Sequence, residues 1–375
     1  MEQYTLVCPC LFGVEGLVSK EARALGFSDI EAENGRVRFH GGKDAIARAN
    51  IGLRCAERVL LQLAEFPAHS FEELFEGVRA IAWENFVGQH NAFPVKGWAK
   101  DSALHSIPDC QAIIKKAAVE RLKGQYHIDW FEEDGARVQI RFAIHKDMVA
   151  IYLDTSGEGL HKRGYRPHAM IAPLKETLAA AMVTLARPFR DKPFYDPMCG
   201  SGTLAIEAAM YLQHIAPGLG RTFLAEKWDW LSEEIWQKAR AEARDCIERE
   251  PCLIYGSDLD PAAINLAKEN AERAGVANTI RFEEKDIRDF SPSEARGEIV
   301  CNPPYGERML ETHEADELYA TLGDLYRQLP AFQFYVISPA DDFEDTFGMK
   351  ADKRRKLYNG MISCEFFQYF RPRKG

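Results

Sequence analysis

Residues 298–308, EIVCNPPYGER, set an amide and an aromatic ring on either side of two prolines. Ile299, Val300 and Cys301 read as the end of a buried strand. Neither Pro303 nor Pro304 can donate to a sheet ladder, so the chain must leave the sheet at Asn302. A carboxamide acceptor then sits at a strand end, in a turn made rigid by proline. The chemistry that fits is methyl transfer to the exocyclic amine of a nucleobase. Such an amine is a poor nucleophile, because its lone pair is delocalised into the ring. Two acceptors aimed at its N–H groups, the Asn302 side-chain oxygen and the Pro303 carbonyl, would pyramidalise it and free that lone pair. Tyr305 offers a face on which the base stacks. Holding the amine in line with an electrophilic methyl removes about 7–11 kcal/mol of barrier, and the proton can leave after transfer. Asn302, Pro303 and Tyr305 are the candidate catalytic residues.

A second constellation precedes it. Gly200-Ser201-Gly202 lies between a short strand at 194–195 and a helix carrying Leu204, Ala205, Ala208, Ala209 and Leu212 on one side. Small residues there let a ligand approach backbone N–H groups at a helix start. Asp258 ends the next strand, where a ribose hydroxyl pair could be held. Asp286 ends a third strand and could meet the amino edge of an adenine. Acids at successive strand ends mark the ligand crevice of an open sheet. Asp258 follows the glycines by far more than the about 20 positions of a plain nucleotide-binding unit. The excess matches an insertion near 215–250, whose Trp228, Trp230 and Trp236 are read as packing residues. No Gly-x-x-x-x-Gly-Lys is present, which removes a P-loop. Cys199 and Cys301 are read as small buried residues rather than nucleophiles.

The elements that position these residues alternate strand and helix. Strands at 194–195, 253–255, 279–282, 299–301 and 334–337 are separated by helices. Pro261 opens one and Gly275 closes it, and another is marked by Leu318, Leu322, Leu325 and Leu329. A hairpin at 355–358 and 362–370, turning at Asn359-Gly360, ends the sheet. The prediction is a doubly wound α/β, Rossmann-like sheet with a terminal antiparallel hairpin. The part before about residue 155 reads as α+β. It has strands at 36–40, 59–64 and 93–99, a helix using Phe71, Leu74, Phe75 and Val78, and a helix at 110–122 that exposes Lys115 and Lys116. Residues 137–142 alternate as a half-solvated strand does. Residues 154–159, DTSGEG, read as the linker.

Composition bounds the rest. The 375 residues are too many for one ordinary core. A net charge of −10 argues against a generic polyanion binder but leaves local patches open. No stretch approaches the roughly 20 apolar residues of a membrane helix, and the N-terminus lacks a signal peptide's pattern. The nine cysteines form no zinc spacing and no disulfide framework, so a cytoplasmic protein with reduced thiols and no metal is expected. The basic run Lys162, Arg163, Arg166 and His168 is read as contacting nucleic-acid phosphates, with Lys115 and Lys116 as weaker candidates.

Asp196-Pro197-Met198-Cys199-Gly200-Ser201-Gly202-Thr203 and Asn302-Pro303-Pro304-Tyr305 resemble motifs of class I S-adenosylmethionine-dependent amino-methyltransferases. The chain as a whole resembles the THUMP-domain methyltransferases of bacterial 23S rRNA, RlmL-like, which methylate guanine N2. His161–Arg166 and the run 172–177, APLKET, are similar to the segment before that family's catalytic domain. The resemblance implies S-adenosyl-L-methionine as cofactor, held by Asp196, Cys199, Gly200, Ser201, Gly202, Thr203, Asp258, Asp286 and Asn302. It implies 23S rRNA as substrate. It also implies a ferredoxin-like subdomain over 1–65, a THUMP RNA-binding domain over 66–155 and a methyltransferase domain over 156–375. Some members carry a second methyltransferase domain; this chain ends before one could begin, so a second activity is not expected. Two other functions fit less well. An N6-adenine DNA methyltransferase would often carry Asp in place of Asn302, and a non-catalytic RNA-binding protein would not need the intact motifs.

Overall fold

The computed structural model describes residues 3–166, 174–305 and 312–370. His168, Ala172, Pro173 and Gly306 of the sequence motifs lie outside them. The described chain divides into two compact units. The first holds residues up to Pro9, Ser19–Leu160 and Thr222–Glu242; the second holds Cys10–Val18, His161–Arg221 and the chain from Ala243 onward.

The first unit runs β1 (Tyr4–Pro9), α1 (Glu15–Ala24, whose first turn belongs to the second unit), β2 (Ser28–Glu33), β3 (Arg36–Gly41), α2 (Lys43–Gly52), β4 (Leu60–Pro67), α3 (Phe71–Arg79), β5 (Val95–Lys100), α4 (Ile107–Tyr126), β6 (Ile140–His145) and β7 (Met148–Asp154). Among the described residues, its strands form a single seven-stranded sheet in the order β2-β3-β1-β4-β7-β6-β5. The antiparallel β4–β7 pair joins what the sequence reading separated as two subdomains. Period-2 alternation decides the faces. Leu6, Cys8, Val37, Phe39, Phe142, Ile144, Val149 and Ile151 are buried on one side, and α2, α3 and α4 pack against strands of this sheet. Helix α3 starts where Ser70 accepts the Glu73 N–H at 3.2 Å and Glu73 accepts the His69 N–H at 2.7 Å, a variant of the capping box.

Two expectations need correction. The supposed linker is buried: Asp154, Thr155 and Ser156 are at most 1% exposed. Asp154 accepts from Arg58 at 2.7 Å and Arg141 at 2.6 Å, and its other oxygen accepts the Ser156 and Gly157 N–H groups. Turn-forming residues are here used to pair a buried carboxylate, which must be satisfied where it is. The strand expected at 137–142 begins at Ile140 instead. The insertion in the second half of the sequence folds with this first unit, where the Trp228 Nε1–H donates to the Arg137 carbonyl at 2.8 Å. Trp228 and Trp236 are both 2% exposed, as packing residues are.

The second unit contains α5 (Glu176–Ala186), β8 (Phe194–Asp196), α6 (Thr203–Leu212), the end of α7 (Glu233–Asp245), β9 (Ile254–Asp258), α8 (Pro261–Arg273), β10 (Ile280–Glu284), β11 (Gly297–Cys301), α9 (Thr312–Gln328), β12 (Phe332–Ser338), α10 (Phe343–Phe347), β13 (Lys353–Asn359) and β14 (Ile362–Tyr369). The sheet order is β10-β9-β8-β11-β12-β14-β13, parallel through β12 and antiparallel at the final pair. The order reverses between β8 and β11, which opens a crevice at their carboxyl ends. Both strands are buried throughout, as parallel strands covered on two faces must be. Leu322 and Leu325 of α9 pack with Tyr195, Ile299, Phe334 and Phe367 in an aromatic-rich core. The last strand, β14, slots between β12 and β13, so the hairpin enters the sheet rather than hanging on its edge. Its two-residue loop is Gly360-Met361, one position later than expected, with Gly360 at φ +66.

Candidate active site

Strand register places the candidate residues in one rim. Asp196 pairs with Gly256, so Asp258 stands two residues farther along β9. Asp258 in turn pairs with Glu284, so Asp286 stands two residues past β10. On the other side Ile299 pairs with Tyr195, which sets Asn302 beyond the level of Asp196. The four side chains therefore emerge at the carboxyl edge of four adjacent strands.

The loop after β8 is held by backbone bonds. The Cys199 N–H donates to the Ser257 carbonyl at 2.9 Å, and the Gly202 N–H donates to the Cys199 carbonyl at 2.8 Å. Gly200 and Gly202 take φ of +51 and +79, values other residues adopt only with strain. A side chain at Gly202 would also come within 2.9 Å of the Ala267 Cβ. Gly202 then leads α6, whose first N–H groups receive no side-chain cap. Asp258 is fixed by this loop: one carboxylate oxygen accepts the Gly200 N–H at 2.8 Å and the other the Asp260 N–H at 3.0 Å. Each oxygen keeps a second lone pair for a hydroxyl. Ser201 and Thr203 are buried and their hydroxyls are 3.2 Å apart.

Two acceptors stand out. Asp196 is 1% exposed and its Oδ1 has no partner among the described residues; the Oδ1 of Asn302 is likewise buried and unpartnered. An unsatisfied buried acceptor costs about 1–3 kcal/mol, so each of these atoms could take a hydrogen bond from a bound ligand. Burial pushes the Asp196 carboxyl well up, and the Asp258 charge pushes it further. A cationic group bound nearby would offset both effects by favouring the carboxylate. Cys199 and Cys301 are buried, and burial followed by the Asp196 charge holds both thiols far above the range in which a thiolate forms. This disfavours thiol catalysis.

Tyr305 is half-buried, and its hydroxyl accepts from the Asn359 carboxamide at 2.7 Å. The Asn of the hairpin signal is thus the last residue of β13, clamping the ring that follows the two prolines. Sequence reading took Asn359 for a turn former and missed this contact. It also missed Leu259, which is 64% exposed beside Asp258 and presents an apolar surface at the rim.

Several candidates are placed otherwise than expected. Both oxygens of Asp286 accept from Arg288, one of them also from its backbone N–H, so this carboxylate does not stand open. Arg163 is 4% exposed and lies 3.3 Å from Glu207, which also accepts from the Tyr165 hydroxyl. Arg166 pairs with Glu176 at 3.0 Å and donates to the Leu174 carbonyl and the Thr203 hydroxyl. These two guanidiniums are turned into the second unit's interior and cannot reach a phosphate; the run that read as a charged hinge is a buried ion-pair network. Lys115 is also not exposed as expected, since it pairs with Glu133 at 2.5 Å and lies 3.3 Å over the Phe93 ring. Lys162 and Lys116 are exposed. Among the described residues no group of His, Cys, Asp and Glu could hold a metal, and no helix is long and apolar enough to cross a membrane.

Known proteins resemble the chain in sequence and fold. Residues 163–368 match the family described as RMKL-like, methyltransferase domain; residues 5–60 match the RlmL ferredoxin-like domain and 68–154 the THUMP domain. The chain is 45% identical to YpsC of Bacillus subtilis, over 99% of this chain and 97% of that protein. It is 35% identical to the ribosomal RNA large subunit methyltransferase K/L of Syntrophotalea carbinolica, over 95% of this chain but only 52% of that longer protein. Among solved structures, SMU.472 complexed with SAH is 39% identical with a TM-score of 0.94, covering both chains completely. A Listeria monocytogenes protein described as an N6-adenine-specific DNA methylase is 44% identical with a TM-score of 0.95, over 99% of this chain and 97% of that one.

Proposed function

The chain belongs to the RMKL-like methyltransferase family and uses S-adenosyl-L-methionine, and we propose that it methylates the exocyclic N2 amine of a guanine in 23S ribosomal RNA. The observation that carries this reading is the buried, unpartnered Oδ1 of Asn302 at the end of β11. When bound, the cofactor supplies a methyl group on a cationic sulfur. The protein's own residues do the rest. The Gly200–Gly202 turn and the uncapped start of α6 admit the cofactor beside Asp196, Cys199, Ser201 and Thr203. Asp258 takes the ribose hydroxyls, Leu259 packs on the adenine, and Asp286 meets its amino edge only by sharing its carboxylate with Arg288. Asn302 and the Pro303 carbonyl accept the two N–H groups of the target amine, and Tyr305, clamped by Asn359, holds the base by stacking.

A ferredoxin-like part over 1–65 and a THUMP part over 66–155 capture RNA, and 156–375 catalyse, although 10–18 fold with the second unit and 222–242 with the first. Lys162 and Lys116, both exposed, are the candidate phosphate contacts. The protein acts in the cytoplasm, where its substrate is. Support for RNA over DNA comes from the THUMP match, and support for guanine over adenine from the Asn at 302. Nucleoside mass spectrometry of 23S rRNA from cells lacking the gene tests this. Loss of one N2-methylguanosine is the expected result; an unchanged rRNA with loss of N6-methyladenine from DNA would overturn it.

A further inference from the structure

On the face of the first unit's sheet that carries the buried cluster of Val7, Leu60, Ala150 and Tyr152, the two ends differ. Toward β3 its cations are neutralised: Arg36 pairs with Glu33, and Arg38 lies within reach of Glu33 and Glu65. Toward β5, Arg141 pairs with Asp154, but the lysines of the edge strand are not paired. Strand β5 is the sheet edge, and its burial alternates strictly, with Lys96, Trp98 and Lys100 exposed. Neither lysine has a carboxylate within ion-pair distance among the described residues. Trp98 is 50% exposed, with the His145 ring 6.4 Å away.

The register shows what flanks the indole. Lys96, Trp98 and Lys100 pair with Arg141, Ala143 and His145 of β6, a row without a single acid. Ala143 pairs in turn with Ala150 of β7. Two small side chains, Ala143 and the buried Ala150, thus lie beside the ring, between a Lys96–Arg141 row and a Lys100–His145 row. At the usual strand rise of about 3.3 Å per residue, each lysine stands about 6.6 Å along the strand from Trp98. The charge of this strip is opposite to that of the chain, which carries −10 overall.

An exposed ring between unpaired cations fits a polyanion that also offers flat apolar faces. Resting on the RNA reading above, we propose that the open face of β5 binds an unpaired stretch of the substrate RNA. A base stacks on Trp98, and the flanking phosphates lie on Lys96 and Lys100. Stacking needs a base with a free face, which a duplex does not offer, and a flat sheet cannot enter the deep, narrow major groove of an RNA helix. The strip therefore selects single-stranded segments.

The test uses the full-length enzyme, a short oligouridylate and a hairpin duplex of matched length. Oligouridylate is expected to quench tryptophan fluorescence and to bind more tightly than the duplex. Trp98→Ala should weaken it by about tenfold, within the range of one lost stacking contact, and Trp98→Phe should restore most of the loss. Lys96→Ala with Lys100→Ala should lower the slope of log affinity against log salt by about one per lysine. The KM for unmodified 23S rRNA should rise while S-adenosylmethionine affinity stays unchanged. Because the three side chains are exposed, the folded state is expected to survive their replacement, and the melting temperature checks this. Charge reversal, Lys96→Glu with Lys100→Glu, provides a second route to the same loss. If a variant combining Trp98→Ala, Lys96→Ala and Lys100→Ala binds oligouridylate and rRNA as the wild type does, the strip is wrong and the RNA reading stands. Equal binding of duplex and single strand overturns the strand selectivity. A wild type that binds no RNA overturns the strip and the RNA reading together.

Discussion

The two seven-stranded sheets put function in different places. In the first, antiparallel pairings dominate, β5 reads exposed at every second residue, and the free side chains line a face. In the second, β8 and β11 are buried along their length, and the free side chains appear only where the strands stop. Strand pairing explains the contrast. Parallel strands need crossovers that cover both faces, so chemistry is driven to the carboxyl ends; an antiparallel sheet can leave one face to solvent. An end concentrates a few atoms, as catalysis requires. A face spreads cations and rings over a length, as holding a chain requires.

Breaking the strand-end cluster should produce the largest effects. Asn302→Ala is expected to lower kcat by about 10²–10³, the range for a lost transition-state hydrogen-bond partner, with little change in RNA affinity. Steady-state kinetics with RNA varied separates the two. Asp258→Ala removes the ribose acceptor and releases the Gly200 N–H; it should weaken S-adenosylmethionine by about 1.5–3 kcal/mol in a calorimetric titration. An unchanged dissociation constant would rule out that role.

Asp196 makes a pH-dependent case. Its carboxyl is raised in the folded state by burial and then by Asp258. Stability linked to it is complete below the unfolded value of about 3.9. That stability is lost as pH rises through the folded value, since the unfolded chain ionises freely. Asp196→Asn should therefore melt higher than the wild type without cofactor, by a margin that widens from pH 4 to pH 8. Adding S-adenosylmethionine should raise the wild type more than the variant. A margin independent of pH would mean that Asp196 is not the buried acid described.

The smallest effect sharpens the hairpin's part. Asn359→Ala frees the Tyr305 hydroxyl, and one neutral hydrogen bond is worth about 0.5–1.5 kcal/mol. A loss of about two- to tenfold in kcat/KM for RNA is expected, with cofactor binding intact. No change would leave Tyr305 positioned by its prolines and by the Cys364 thiol, which donates to its hydroxyl at 3.8 Å.

The parallel sheet was legible in the sequence because apolar runs followed by punctuation occur at every strand end: Asp196-Pro197, Asp258, Asn302-Pro303. Partnership was not legible. A run of Lys162, Arg163 and Arg166 reads as a solvated charge cluster, but Glu207 and Glu176, distant in sequence, pair its two arginines inside the fold. The turn-rich run at 154–157 read as a linker because its two arginine partners, Arg58 and Arg141, cannot be matched to Asp154 without the sheet register. The unit boundary was hidden for a similar reason. Residues 10–18 fold with the second unit and 222–242 with the first, so a cut at 155 would strip both. Trp98 carried a signal that went unused, an aromatic between two lysines at strand spacing.

The account rests on Asn302 presenting a guanine amine at the end of β11. The measurement that tests it most directly is single-turnover transfer from labelled S-adenosylmethionine to unmodified 23S rRNA, comparing wild type with Asn302→Ala and identifying the labelled nucleoside by mass spectrometry. N2-methylguanosine from the wild type, formed about 10²–10³ more slowly by the variant, is the predicted result. N6-methyladenosine as the product, or a wild-type rate in the variant, would contradict it.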